Sequence, residues 1–338
     1  MIRIWFSLLV LSFATPLAAQ ERPDDEVHAD TILALKGLQL LDQRMNAIGY
    51  RLISANAAYC DQKTASTGLL LNDVAQYADQ ETARFALGFD GSIGITAVAP
   101  DSPAEAAELS PGNSLLAVGA MPVDEIALDD PELSNEPPPY RRVAAINRMI
   151  EQALADGNVQ LTISEGGISR TVPVEAVLTC PGQFQIRVSA DRSATADGKM
   201  VSVSSRLAEY FLSDDEFAAV IAHELAHNLL KHRDQLDAQQ VNRGFFGQLG
   251  KSAQRVKETE IEADRLSVWL MANAGYDPQA AARFWTRYGK EHGKGIFSAS
   301  THYRWKKRVQ LFEEEIAKMD AMEPVDGQYA PPLLTGTN

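Results

Sequence analysis

Ser213-Asp214-Asp215-Glu216-Phe217-Ala218-Ala219-Val220-Ile221-Ala222-His223-Glu224-Leu225-Ala226-His227-Asn228 decides how the rest of the chain is read. Ser213 is a natural helix N-cap, and Glu216, three residues on, completes a capping box. The apolar run that follows predicts a buried helix carrying His223 and His227 in its interior. A spacing of four puts both imidazoles on one face, a turn apart, where they can bind a single metal ion. Glu224 then points beside that ion, where a carboxylate can take a proton from metal-bound water. Composition alone would produce HExxH in roughly one such chain in a hundred. Inside a capped helix, a zinc site is the stronger reading.

Zinc needs a third protein ligand and an open position for water. Downstream lies Glu258-Thr259-Glu260-Ile261-Glu262-Ala263-Asp264-Arg265-Leu266, again with a helical pattern. Glu260 and Asp264 fall one turn apart on one face, which suits Glu260 as ligand and Asp264 as an acceptor orienting a ligand histidine. Glu258 and Glu262 are rival carboxylates that spacing does not exclude. His232, nine positions after His223, falls near the opposite face of a continuing helix and reads as structural. His28 and His292 sit in no ligand pattern.

These motifs, in order and followed by Ala274-Gly275-Tyr276-Asp277-Pro278, resemble the gluzincin family of CAAX prenyl endopeptidases, HtpX and periplasmic BepA, from Cys180 to Glu315. The resemblance implies one Zn2+ per chain on His223, His227 and Glu260, with Asp264 in support and Glu224 as general base. A later His-Pro…Arg pattern of the family is met in part by Thr301-His302-Tyr303 and Arg308, with Tyr303 in place of proline. It implies His302 as a second catalytic group reaching the substrate carbonyl. Lys199 to Ser204 would be the active-site edge strand that pairs with extended substrate. Asp234 to Lys257, with Arg243-Gly244-Phe245-Phe246-Gly247, reads either as a lid or membrane-contacting patch, or as an ordinary packed helix pair.

Residues 82–178 have a different texture. Thr82 to Phe89 and Gly94 to Pro100 read as short strands, Tyr140 to Ala155 as a helix, and Val159 to Ser164 and Thr171 to Val177 as strands. This stretch resembles a bacterial PDZ domain, with Leu87-Gly88-Phe89 at the carboxylate-binding loop. Asp101-Ser102-Pro103-Ala104 then opens a short helix, and Leu109-Ser110-Pro111-Gly112-Asn113 leads to the next strand, with Asn113 where the family usually has Asp. The resemblance implies that Leu87, Gly88 and Phe89 receive an extended peptide.

Upstream, Leu33, Leu35, Leu38, Leu41, Met45, Ile48, Leu52 and Ile53 recur at helical spacing and predict an amphipathic helix from Ala29 to Ala57. Met1 to Gln20 carries Arg3, an apolar run and Leu17-Ala18-Ala19, the pattern of a secretory signal peptide cut after Ala19. The expected location is therefore the periplasm or outside the cell, where Cys60 and Cys180 would pair. From Glu323 onward, prolines and glycines predict a disordered tail.

With 31 Lys+Arg against 45 Asp+Glu, the net charge of −14 argues against a nucleic-acid binder or a polybasic membrane-surface protein. No stable membrane insertion is expected. The fold class expected is α+β: a small PDZ-like β domain, then a mainly helical gluzincin domain with a small edge sheet. Its divisions are 1–19 signal peptide, 20–81 N-terminal helical segment, 82–178 PDZ-like domain, 179–322 zinc metallopeptidase domain and 323–338 tail. The expected function is zinc-dependent endoproteolysis of unfolded or misassembled envelope proteins, with polypeptides, unfolded or C-terminal segments, as partners. The alternative is a PDZ-mediated, chaperone-like binder that holds partners and cleaves little.

Overall fold

A computed structural model describes residues 23–134, 136–155, 157–239, 250–292 and 305–336. The long first helix, α1 (Pro23–Ala55), buries Met45, Ile48, Leu52 and Ile53 and leaves Leu33 and Leu40 exposed. That stripe is the amphipathic face the leucine spacing predicts. At Gly49 a Cβ atom would sit 2.4 Å from the Phe184 ring, so only glycine lets the helix cross the sheet so closely.

Next come β1 (Thr64–Ser66), β2 (Leu69–Asp73), α2 (Gln80–Leu87), β3 (Ile93–Val98), α3 (Pro103–Ala106), β4 (Ser114–Val118) and β5 (Met121–Pro122). After them follow α4 (Arg141–Leu154), β6 (Asn158–Glu165), β7 (Ile168–Glu175) and β8 (Val177–Thr179). An antiparallel sheet runs β2-β3-β4-β6-β7, with β5 on β4. Ile93, Ile95, Leu115, Leu161 and Ile163 pack under Ile146, Ile150 and Leu154, which recur every four residues along α4. At the base of this unit β1 pairs with β8, and Cys60 is bonded to Cys180. The bond closes a loop of 120 residues, which in the chain-entropy model stabilises the fold by about 4–5 kcal/mol.

Two expectations change here. Residues 82–89 are not a strand: the Asp79 carboxylate accepts from Thr82 N at 3.0 Å and Gly88 ends the turn at φ +76°, so cap and stop signals outweigh local β propensity. The β unit also begins before residue 82, because β2 pairs along β3.

The last part contains β9 (Gln183–Arg187), β10 (Ala194–Ala196), β11 (Met200–Ser204), α5 (Ser205–Ala208), α6 (Asp214–Leu229), α7 (His232–Ala238), α8 (Gly250–Asn273), α9 (Gln279–His292), α10 (Trp305–Asp320) and α11 (Pro332–Thr335). One core joins α6, α8, α9 and α10 to the buried face of α1, so the N-terminal helix belongs to this unit as much as to its own segment. The tail is likewise part of it. Tyr329 stacks edge-on to Trp269 and exchanges hydrogen bonds with Asn273, while Gln328 donates to Ala55 O at 2.8 Å. Those contacts, available only once α1 and α8 are in place, replace the disorder its composition predicts for residues 323–336. No helix of the described residues is long and apolar enough to cross a membrane.

Asp42 is buried between α1 and β9, and burial raises its pKa from 3.8 to about 7 despite a bond from Ile186 N. The folded state thus holds an extra proton between those values, and this residue's contribution to stability falls as pH rises through that window. Asp42→Asn should match the wild-type melting temperature near pH 4 and exceed it at pH 8. Thermal scans across pH check this, and a difference that does not grow with pH would contradict it.

Candidate functional site

The capping box forms at the start of α6, in shifted form. Ser213 Oγ accepts from Glu216 N at 3.2 Å, while the Glu216 carboxylate reaches back to Leu212 N at 3.0 Å and also pairs with Arg287 of α9. Beyond this start α6 is almost wholly buried, packed along α8. Gly275, at φ +71°, stops α8, with Tyr276 N donating to Met271 O and Gly275 N to Ala272 O. That is the Schellman pattern, and it fixes where α8 ends against α6.

The facing sides of α6 and α8 bring His223, His227 and Glu260 together, with ligand atoms all within 4.8 Å of one another. His223 Nε2 lies 3.2 Å from His227 Nε2 and 3.6 Å from Glu260 Oε2, and His227 Nε2 lies 3.5 Å from Glu260 Oε1. Tetrahedral zinc with bonds near 2.1 Å separates its ligand atoms by about 3.4 Å. Two imidazoles and one carboxylate at these separations therefore fit zinc. Glu224 sits between the two histidines on α6, half-buried. The rival carboxylates go elsewhere: Glu258 accepts from Gln254, and Glu262 meets His232.

Asp264 is fully buried one turn beyond Glu260, its Oδ1 2.8 Å from His223 Nδ1. This orients the His223 ring with Nε2 toward His227 and Glu260, the role that an acceptor behind a ligand histidine plays, while Arg308 Nη2 lies 2.9 Å from Nδ1 and 3.2 Å from Nε2. Arg308, from α10, is 3% exposed, donates to Asp264 from both Nε and Nη2, and lies 3.7 Å over the Trp285 ring. The sequence pattern offers Arg308 without a partner; only the fold brings α10 behind the site. Burial works against the Asp264 charge, yet Arg308 and His223 hold its pKa below the usual carboxylate value. In the metal-free site, burial and the charge of His223 push His227 down to about 3. Burial and Arg308 also press on His223, but Asp264 and Glu260 outweigh them and lift it to about 9.

Several expected site residues fall differently. His302 and Tyr303 lie outside the described residues, as do residues 1–19 and Arg243 to Gly247. Leu87, Gly88 and Phe89 do not form a peptide-receiving loop. Gly88 N and Phe89 N both donate to Arg84 O to close α2, and Phe89 is buried against Gly94. Their amides are therefore used within the chain and cannot hold a carboxylate. Residues 200–204 are not an edge strand either, since β11 is paired with β9 on one side and β10 on the other. The outer strand against α6 is β10. Its hairpin tip is pinned to the helix by Asn228 Oδ1, which accepts from Gly198 N at 2.7 Å.

Residues 181–247 match the family model of peptidase family M48, whose members are zinc-dependent. A stretch of 122 residues is 31% identical to the mitochondrial metalloendopeptidase OMA1 of Schizosaccharomyces pombe, covering 30% of this chain and 36% of that protein. Over 147 residues the chain is 31% identical to the mitochondrial metalloendopeptidase OMA1 of Arabidopsis thaliana, covering 37% of this chain and 28% of the relative. The chain thus spans about a third of the length of the relatives it matches. These relatives correct the expected location: both are named as mitochondrial proteins, not periplasmic or secreted ones. The pattern of the first twenty residues says nothing of the domain behind them.

Proposed function

We propose that this chain is a zinc-dependent metalloendopeptidase that hydrolyses peptide bonds in unfolded or extended segments of polypeptide. The observation that carries the proposal is the convergence of His223, His227 and Glu260 at zinc-like separations, with Glu224 next to His223 in the sequence of α6. Zinc, when bound there, supplies a Lewis acid that polarises the scissile carbonyl and makes water acidic enough to lose a proton near neutral pH. Glu224 takes that proton as water attacks the carbonyl, then returns it to the leaving amine. Asp264 keeps His223 turned toward the ligand position, and Arg308 keeps Asp264 charged and in place.

Substrate selection follows from the strands. An extended segment can add to β10, the outer strand over α6, by main-chain hydrogen bonds that a folded substrate does not offer. We read the β unit as a PDZ-like module that restrains or selects polypeptides, and its free edge β2 is the place where a peptide strand would join. Neither addition requires Leu87, Gly88 or Phe89.

The test is digestion of unfolded casein by the purified chain, before and after removal of metal with a chelator. Cleavage should stop on metal removal and return with added zinc. A chain that binds casein without cutting it, zinc present, would favour the chaperone-like alternative.

A further inference from the structure

We propose that His232 and Glu262 form a positioning pair that fixes the ring of His227, in a proposal resting on the zinc reading above. α6 ends at Leu229, and Lys231 adopts φ +54°, a left-handed conformation uncommon outside glycine. That turn starts α7 at His232 and sends its ring back toward α6 instead of away from it. The His232 side chain is 2% exposed, its Nδ1 is 2.9 Å from His227 Nδ1, and its Nε2 is 3.1 Å from Glu262 Oε2 on α8.

Hydrogen placement follows. A contact between two ring nitrogens needs one hydrogen between them. Metal ligation through His227 Nε2 leaves its hydrogen on Nδ1, so His227 donates and His232 Nδ1 accepts. The hydrogen of neutral His232 then lies on Nε2, where Glu262 accepts it. His223 has a carboxylate directly behind it, Asp264; His227 reaches its carboxylate through one further imidazole. Glu262, which spacing offered as a rival ligand, thereby gains a separate role, and so does His232.

The test is zinc affinity of the full chain by competition with a fluorescent chelator, alongside the melting temperature of the metal-free protein. His232→Leu keeps bulk but accepts no hydrogen, and Glu262→Ala removes the far anchor. Each should weaken zinc about 10–100-fold. His232→Gln and Glu262→Gln, which retain an acceptor, should recover most of the affinity. Because Glu262 acts only through His232, the His232→Leu/Glu262→Ala double variant should bind zinc no worse than His232→Leu. Should His232→Leu fail to fold, Glu262→Ala carries the test, since the Glu262 side chain is 44% exposed. A merely structural pair would lower the metal-free melting temperature while leaving affinity at the wild-type value, and that result overturns the proposal. So would additive losses in the double variant. A wild-type chain that binds no zinc overturns the metal centre itself, and the pair with it.

Discussion

Glu224→Gln should leave zinc near one per chain while peptide cleavage falls by about 10²–10⁴-fold or more. Glutamine keeps the size of the side chain and its capacity for hydrogen bonding, but it cannot take a proton from attacking water. Glu224 lies outside the ligand group of His223, His227 and Glu260, so the metal has no reason to leave. Metal analysis and cleavage of a fluorogenic peptide, run on one preparation, check both halves. Loss of zinc along with activity would assign Glu224 to the ligand set instead.

Glu260→Gln should behave in the opposite order. It removes the charged ligand whose oxygens lie 3.6 and 3.5 Å from the two imidazoles, so zinc affinity itself should fall by about 100-fold or more. Activity is then lost because the metal is lost, and excess zinc should restore part of it. Asp264→Asn should lie between, weakening zinc or activity about 10–100-fold, because it disturbs only the hydrogen bond behind His223 and the pairing with Arg308. Retention of wild-type zinc affinity in Glu260→Gln, with loss in Glu262→Gln, would move the third ligand by two residues.

The site was most legible where chemistry depends on local spacing. HExxH on a capped helix places two imidazoles on one face whatever surrounds it, and Glu260 with Asp264 repeats that logic on a second helix. Spacing does not choose among Glu258, Glu260 and Glu262, because that choice depends on how α8 rotates against α6. A continuous helix would put His232 on the far side for a similar reason, but Lys231 breaks the helix just past Leu229. Arg308 and the tail contacts of Tyr329 depend on packing between segments far apart in sequence, and no local pattern encodes them. The strand-like composition of Thr82 to Phe89 hides a cap at Asp79 and a stop at Gly88. Nothing in Met200 to Ser204 says that two strands, not one, flank it.

The most direct measurement is diffraction from zinc-loaded crystals at wavelengths on either side of the zinc absorption edge. The account predicts one anomalous peak per chain, bonded to His223 Nε2, His227 Nε2 and Glu260, with His232 joined to His227 and not to the metal. A peak that includes His232 or Glu262 among its ligands, or no peak between α6 and α8, would contradict it.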